Sequence, residues 1–316
     1  MITLVYLEGK KVKKVSTINE IKKVAKENYL WIDLFNISEQ EKLSYRQDLN
    51  ISLQLPKKKR IRHSFRFTEN KGDLTINFHL LIKEDKVLVD KPVSFLLRDN
   101  YLVTNHNIKH LSFTKLYNEN DHIDYTKIDG KLVFLKIIEK ILEFDIDSLE
   151  DITSKIVSLS EKITVKGSLK DDLVFEIMSL QEELIHLRKN ITEKQRVVSS
   201  IYKSDYFIKK HLQKHILIIE KDISSILEHL TFDFERLEYL QDTLMGLINL
   251  KQNIIMKLFT IVSVVFLPPT LIASIYGMNF VDMPELNVPH AYPIAIIMML
   301  IVSMITLLIF KLKKWI

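Results

Sequence analysis

The sequence contains no cysteine. A chain without thiols cannot form a disulfide, a thiolate nucleophile or a zinc–thiolate site. Its six glycines lie far apart, so they cannot build a Gly-rich phosphate loop or a dinucleotide-binding fingerprint. The Gly-X-Ser-X-Gly elbow that positions the nucleophile in many hydrolases is also missing. We therefore expect a protein that is not an enzyme and that does not use ATP-driven P-loop chemistry.

The net charge of +5 fits either a nucleic-acid-binding protein or a membrane protein with basic flanks. The basic run Lys57–Arg60 has no aromatic residues interleaved with it, which disfavours a nucleic-acid surface and favours a solvated loop or strand edge. We expect no nucleic-acid partner. The first residues, Met1–Leu7, lack the basic region, long apolar core and cleavage site of a signal peptide, so we expect the N-terminus to be cytoplasmic.

Residues 1–125 have the pattern of a cytoplasmic α/β domain. Runs rich in β-branched and aromatic residues predict strands, at Ile2–Leu7, Tyr29–Leu34, Ile61–Phe67, Leu74–Ile82, Val87–Val89, Val93–Leu97 and Tyr101–Thr104. The stretch Asn70–Asp73 lies between two of these runs and predicts a hairpin turn. Helical spacing predicts two helices, at Ile18–Glu27 and Glu39–Asp48.

Residues 126–256 have the pattern of a long helical stalk. No proline occurs between Pro92 and Pro268, and leucine and isoleucine recur every three or four residues from Leu132 to Ile163. A second helix is predicted over Leu169–Tyr202, with a turn at Lys203–Asp205. A third helical pattern begins near His211 and has no clear stop before Tyr276.

Leu258–Tyr276 and Ala291–Phe310 are uncharged apolar runs. Because about 20 residues cross the hydrocarbon core, they predict transmembrane helices, which we assign to residues 257–276 and 291–310. Buried core helices would give the same pattern, but two such runs in tandem at the C-terminus favour membrane spans. Lysines flank the pair: Lys251 and Lys257 precede it, and a basic tail, 311–316, follows it. The positive-inside rule then places both termini in the cytoplasm and the 277–290 loop outside, in a multi-pass protein of the plasma or inner membrane.

The first span has one polar face. Small or polar residues recur with steps of three and four, which is the spacing of a heptad seam. We call this face the seam, and predict that it lines a pore in a homo-oligomer; its residues are Asn253, Met256, Thr260, Ser263, Leu267, Thr270 and Ser274. Extended backward, the seam reaches Asp242, which would concentrate cations at the cytoplasmic mouth. Ordinary helix packing also favours serine and threonine and is the alternative.

Pro268 and Pro269 are expected to bend the first span or to loosen its hydrogen-bond ladder, so that freed carbonyls could face the lumen. Met256 and Leu267 are the apolar positions of the seam and hence candidate gates. The spans are joined by a loop that starts at Tyr276-Gly277-Met278-Asn279, where glycine permits a sharp turn or a close approach of backbones.

The donors of the seam suggest which ion passes. The membrane part of the seam lacks the carboxylates, imidazoles and thiolates that dehydrated transition metals prefer. Mg²⁺ keeps its waters, and an uncharged ring of Asn279 amides could select the hydrated ion through its outer shell. Asp282 and Glu285 in the loop would raise the local cation concentration. The membrane potential could drive entry, since it supplies about 4.6 kcal/mol for a divalent ion per 100 mV.

The sequence Tyr276-Gly277-Met278-Asn279-Phe280, followed by Met283-Pro284-Glu285-Leu286, a second span and a Lys-X-Lys-Lys-Trp tail, resembles the CorA family of magnesium transporters. The resemblance implies a homopentamer whose first span lines the pore, a selectivity loop at residues 276–279, an Asn253 ring at the cytoplasmic end, and closure by regulatory Mg²⁺ bound between cytoplasmic domains. The chain departs from the family at Leu267-Pro268-Pro269, where Met-Pro is common, and at Phe259, where a smaller residue is frequent.

Two alternatives stay open at this point. Members of this family also carry Co²⁺ or Ni²⁺, and a related branch handles Zn²⁺. The hairpin could instead tether a sensor or scaffold to the membrane. Histidine pairs four residues apart, at His106/His110 and His211/His215, have zinc-binding spacing, although a solvated helix face explains the second pair better.

Overall fold

The computed structural model describes residues 1–9, 11–49, 51, 66–70, 72–84, 87–110, 112–113, 128–164, 172–279 and 283–313. By their internal contacts the described residues form two compact units, Met1–Leu240 and Gln241–Ile316. The predicted strand at Ile61–Phe67 lies outside these residues except for its end, and Asp282 and Trp315 lie outside them entirely.

The first unit contains a mixed sheet of seven strands among the described residues, in the order β2-β1-β3-β7-β6-β5-β4. Only the β3–β7 pair of this sheet is parallel. The strands are β1 (Ile2–Glu8), β2 (Lys11–Val15), β3 (Tyr29–Phe35), β4 (Phe67–Asn70), β5 (Asp73–Glu84), β6 (Val87–Arg98) and β7 (Tyr101–His106).

The predicted hairpin between β4 and β5 is confirmed, because Asn70 pairs with Asp73 and Gly72 has a positive φ of 95°. The prediction of two strands in the next region is wrong: Val87–Arg98 is one 12-residue strand that passes through Pro92. Within β6, only Val93–Arg98 pairs with β7. Pro92 therefore lies where β5 is the only described strand paired with β6. A proline is tolerated there because it interrupts pairing on one side at most.

Two short elements near the N-terminus also differ from the prediction. β2 was not predicted, because its sequence is dominated by lysine; lysine-rich strands are typical of sheet edges, where they discourage pairing with other chains. The helix predicted over Ile18–Glu27 is a single turn, α1 (Ile18–Ile21), followed by a 3-10 turn at Lys26–Asn28. Only Ile21 of α1 is buried, so little apolar burial is available to extend it.

The remaining helices of the described chain are long. They are α2 (Glu39–Leu49), α3 (Gly130–Thr164), α4 (Asp172–Tyr202), α5 (Lys210–Tyr276) and α6 (Ala291–Leu312). α3 and α4 pack against the sheet, where Phe95 stacks on Phe78 with ring centroids 5.2 Å apart and meets Phe134 of α3 edge-on at 5.3 Å. These aromatic contacts hold α3 on the face of the sheet that carries Phe78 and Phe95.

Polar contacts also join α4 to the sheet. Asn190 donates to the backbone oxygen of His79 and to Asp90, both at 3.0 Å. Glu193 lies 3.1 Å from both His79 Nδ1 and Arg66 Nε. His79, Asn190 and Glu193 are buried, and buried polar groups need such partners. The network fixes the rotation of α4 about its own axis.

Candidate membrane pathway

The second unit consists of the C-terminal part of α5, a short connection and α6. Within the described residues, α5 and α6 are the two helices long and apolar enough to cross a membrane. The most apolar window of each is not buried inside the protein. Apolar surface of that extent is unfavourable in water, and a bilayer would remove it from solvent.

Every residue of the seam is solvent-exposed in the single chain. Its two apolar members, Met256 and Leu267, are 64% and 67% exposed. The half-buried side of α5 carries instead Val265, Pro268 and Ile272. At about 100° per residue, these positions lie about 150° around the helix axis from the seam. The packing of the α5–α6 hairpin therefore does not account for the seam.

The threonine hydroxyls of the seam donate to their own helix. Thr260 Oγ1 donates to the Met256 carbonyl at 2.8 Å, and Thr270 Oγ1 donates to the Phe266 carbonyl at 2.7 Å. A hydroxyl has one proton and two lone pairs. With the proton engaged, each oxygen offers its surroundings lone pairs only, which makes the two threonines hydrogen-bond acceptors.

The proline pair lies inside α5 without ending it. One carbonyl freed by the prolines is that of Val265, four residues before Pro269, and it accepts a hydrogen bond from Ser303 Oγ of α6 at 3.2 Å. The expectation that freed carbonyls face a lumen is thus wrong for this carbonyl, because α6 supplies its donor. Ser303 was not singled out from the sequence; a proline on one span and a serine on the next are the pattern that could have found it.

The connection between the spans begins as α5 ends at Tyr276. Gly277 N–H donates to the Ala273 carbonyl at 2.9 Å, and Met278 N–H donates to the Ile275 carbonyl at 3.2 Å. A Cβ on Gly277 would lie 3.1 Å from the Ala273 oxygen. Gly277 does not have a positive φ, and its nearest contact is with a carbonyl of its own helix.

The described part of the connection carries polar side chains. Asn279 is exposed, and Glu285 lies in a 3-10 turn at Pro284–Asn287 whose closing bond joins Val288 N–H to the Glu285 carbonyl at 3.4 Å. His290 precedes α6 with a left-handed φ of 70°. Amide and carboxylate oxygens are therefore present at this end of the hairpin, while Asp282 lies outside the described residues.

At the other end of the seam, Asp242 and Asn253 are exposed on α5. In the described part of the chain, no group of three or more histidine, aspartate or glutamate side chains could hold a metal ion. Neither histidine pair belongs to such a group: His106 ends β7 and contacts Asp33 at 3.0 Å, and His215 contacts Glu139 at 3.2 Å. Their partners are carboxylates within the fold.

The chain has a mixed sheet with long helices, followed by two apolar C-terminal helices joined by a short connection. This architecture is that of a membrane protein whose large first unit precedes its spans. The sequence matches the CorA-like Mg²⁺ transporter protein family over residues 26–314. The chain belongs to this family.

Individual relatives agree. The magnesium transport protein CorA of Wolinella succinogenes is 33% identical over 296 residues, covering 91% of each chain, and that of Escherichia coli K12 is 32% identical over 294 residues, covering 91% of this chain and 92% of the relative. The complete structure of the CorA magnesium transporter from Methanocaldococcus jannaschii superposes with a TM-score of 0.84 at 20% identity, covering 100% of this chain and 99% of that one. The predicted family and fold class are confirmed.

Proposed function

We propose that the protein is a channel-like transporter that moves hydrated Mg²⁺ into the cytoplasm down its electrochemical gradient. The exposed seam on α5, which faces away from α6, is the observation that carries this proposal. Family membership and the relatives named as magnesium transport proteins support the choice of ion. One hairpin cannot enclose a pore, so the protein acts as a cyclic homo-oligomer, a pentamer, with the seam of each subunit turned toward the axis.

The chemistry of the seam suits a hydrated divalent ion. Water bound to Mg²⁺ points its protons outward, so the first shell of waters needs hydrogen-bond acceptors around it. Thr260 and Thr270 present lone pairs because their protons are engaged with backbone carbonyls. The amide oxygen of Asn279 is also an acceptor. A ring of five such oxygens would stabilise the ion without removing its water.

The loop and the far end of α5 have separate roles in this proposal. Tyr276–Asn279 forms the selectivity loop on the outside, and Asp282 and Glu285 attract cations to it. Asn253 and Asp242 stand at the cytoplasmic end, where Asp242 repeats around the axis and acts as an acid of the mouth or of regulation. Met256 and Leu267 are the apolar constrictions. Both termini of the chain are cytoplasmic, and Mg²⁺ bound to the cytoplasmic domains closes the pore.

The proposal is tested by Mg²⁺ uptake into proteoliposomes whose internal Mg²⁺ is varied from absent to millimolar. We expect uptake driven by an inside-negative potential and suppressed by internal Mg²⁺, and we expect Asp242→Asn to weaken the suppression. Uptake of Zn²⁺, Co²⁺ or Ni²⁺ that is unaffected by excess Mg²⁺ would instead assign the protein to one of those ions. A monomer or dimer in native mass spectrometry would contradict the pore and favour a membrane tether.

A further inference from the structure

A proline inside a transmembrane helix leaves a backbone carbonyl without its usual donor. The N–H of each helical residue donates to the carbonyl four residues earlier, so Pro269 deprives the carbonyl of Val265. In a bilayer no water is at hand to replace the lost donor, and the unsatisfied group is costly. In this protein the replacement comes from the other span: Ser303 Oγ lies 3.2 Å from the Val265 oxygen and donates to it.

We propose that Ser303 is a positioning residue for transport: its hydroxyl takes the place of the N–H that Pro269 lacks and thereby holds the proline segment of α5 against α6. The effect on transport rests on the proposed function, because it matters only if α5 lines the pathway. The hydrogen bond and its dependence on Pro269 stand apart from that function.

Neighbouring hydroxyls do not share this role. Thr306, the threonine of α6, donates at 2.8 Å to Val302 of its own helix. Thr270 on α5 donates to the carbonyl of Phe266, which is also the residue four positions before it, so that carbonyl has a regular N–H donor as well. Ser303 is half-buried on the side of α6 that also carries Ala295. Small residues at such positions allow two helices to approach closely.

The hydrogen bond between Ser303 and Val265 lies close to two residues of the seam. Leu267 comes two residues after Val265, and Thr270 directly follows Pro269; both are exposed on the opposite side of α5. Because the regular ladder is interrupted at this point, the helix can bend here more easily than elsewhere. A bond from α6 that holds the Val265 carbonyl therefore sets the distance of Leu267 and Thr270 from the axis of the assembly.

A double-mutant cycle of Ser303→Ala and Pro269→Ala in the full-length protein tests the proposal. Pro269→Ala restores an N–H for the Val265 carbonyl. We expect Ser303→Ala alone to lower the melting temperature in detergent by about 2–4 °C. We also expect it to lower the maximal Mg²⁺ flux per oligomer several-fold with the half-saturating concentration unchanged. In the Pro269→Ala background the same change should affect neither, and the control Thr306→Val should leave both near the wild-type values.

A second pair of variants repeats the test without altering Pro269. Threonine and valine have nearly the same shape, but only threonine has a hydroxyl. We therefore expect Ser303→Thr to keep the melting temperature and Mg²⁺ flux of the wild type, and Ser303→Val to lower both. Equal melting temperatures for Ser303→Thr and Ser303→Val would contradict the proposed hydrogen bond. So would an equal effect of Ser303→Ala in the wild-type and Pro269→Ala backgrounds. If the effect of Ser303→Ala on the melting temperature depends on Pro269 but the Mg²⁺ flux is unchanged, the positioning role is overturned. Coupling in melting with no Mg²⁺ flux in the wild type would support the hydrogen bond and overturn the proposed function.

Discussion

The Lys194 ammonium lies 2.6 Å from the Asp145 carboxylate, and both side chains are almost fully buried between α4 and α3. Burial raises the pKa of the Asp145 carboxyl, whereas the charge of Lys194 and its hydrogen bond lower it. Lys194 also donates to Asn190, which in turn binds Asp90 and the backbone of β5. This ion pair thus belongs to the network that joins the two helices to the sheet.

Removing one member of the pair leaves the other charge buried and unpaired. We predict that Lys194→Met destabilises the protein by about 3–5 kcal/mol, and that Lys194→Met combined with Asp145→Leu recovers most of that loss, because a buried ion pair can often be replaced by apolar residues at little cost. Thermal and denaturant melting of the full chain measures both. A double variant as unstable as the single one would show that the pair does more than neutralise two buried charges.

A second prediction concerns the start of α3. A Cβ on Gly130 would clash with the backbone of Tyr101 and Leu102. Because those are backbone atoms of β7, they cannot rotate away, and we predict that Gly130→Ala lowers stability by about 1–3 kcal/mol. Gly246→Ala is the control: nothing lies within 4 Å of its Cβ position, and alanine favours helices over glycine. We expect the melting temperature to fall for Gly130→Ala and not for Gly246→Ala. Equal melting temperatures of the two variants would contradict the close contact at Gly130.

A third prediction concerns pH. Burial, helped by Lys194 and His106, lowers the pKa of His110 to about 4, and the ring packs edge-on against Phe144 with centroids 4.7 Å apart. The unfolded chain takes up a proton near pH 6.5, whereas the folded chain does so only near 4, so stability falls as the pH drops through this interval. The full effect is about 3 kcal/mol.

The variant His110→Leu isolates this contribution. Its melting temperature should fall less steeply between pH 6.5 and 4 than that of the wild type, while the two should run parallel above pH 7. Identical slopes in the acid range would mean that His110 does not remain neutral in the folded protein.

A fourth prediction compares two threonines in the spans. Thr260 and Thr306 make the same hydrogen bond, each to the carbonyl four residues earlier at 2.8 Å. Thr260 is exposed on the seam, whereas Thr306 is half-buried on the side of α6 that carries Ser303. We expect Thr260→Val to reduce Mg²⁺ flux several-fold, because it removes an acceptor for the waters of the ion, and Thr306→Val to leave flux unchanged. The opposite order would place the pathway elsewhere.

Regular patterns account for what could be predicted from the sequence. Alternating β-branched residues gave the main strands, uncharged runs gave the spans, and the spacing of Thr260 and Thr270 gave a face that the structure leaves exposed. The features that were missed depend on tertiary context. The lysines of β2 are compatible with a strand only because it is at an edge, and Pro92 is tolerated because β7 ends beside it.

The loop and the hydrogen bond at Ser303 show the same limit. From the sequence, Gly277 permits a sharp turn or a close approach, whereas the structure places it at the end of α5 with its N–H donating to the Ala273 carbonyl. The Val265 carbonyl could be recognised as lacking a donor from Pro269, but its partner depends on how α6 packs against α5. Sequence spacing describes one helix at a time and does not specify the register between two.

Flux through Asn279 variants tests the central claim most directly. Wild type, Asn279→Ala and Asn279→Asp should be reconstituted at equal oligomer content, and Mg²⁺ uptake followed at an inside-negative potential. If a ring of amide oxygens selects the hydrated ion, Asn279→Ala lowers uptake by at least tenfold, and Asn279→Asp alters the selectivity among divalent ions by adding charge. Equal Mg²⁺ uptake by the wild type and Asn279→Ala would contradict the account.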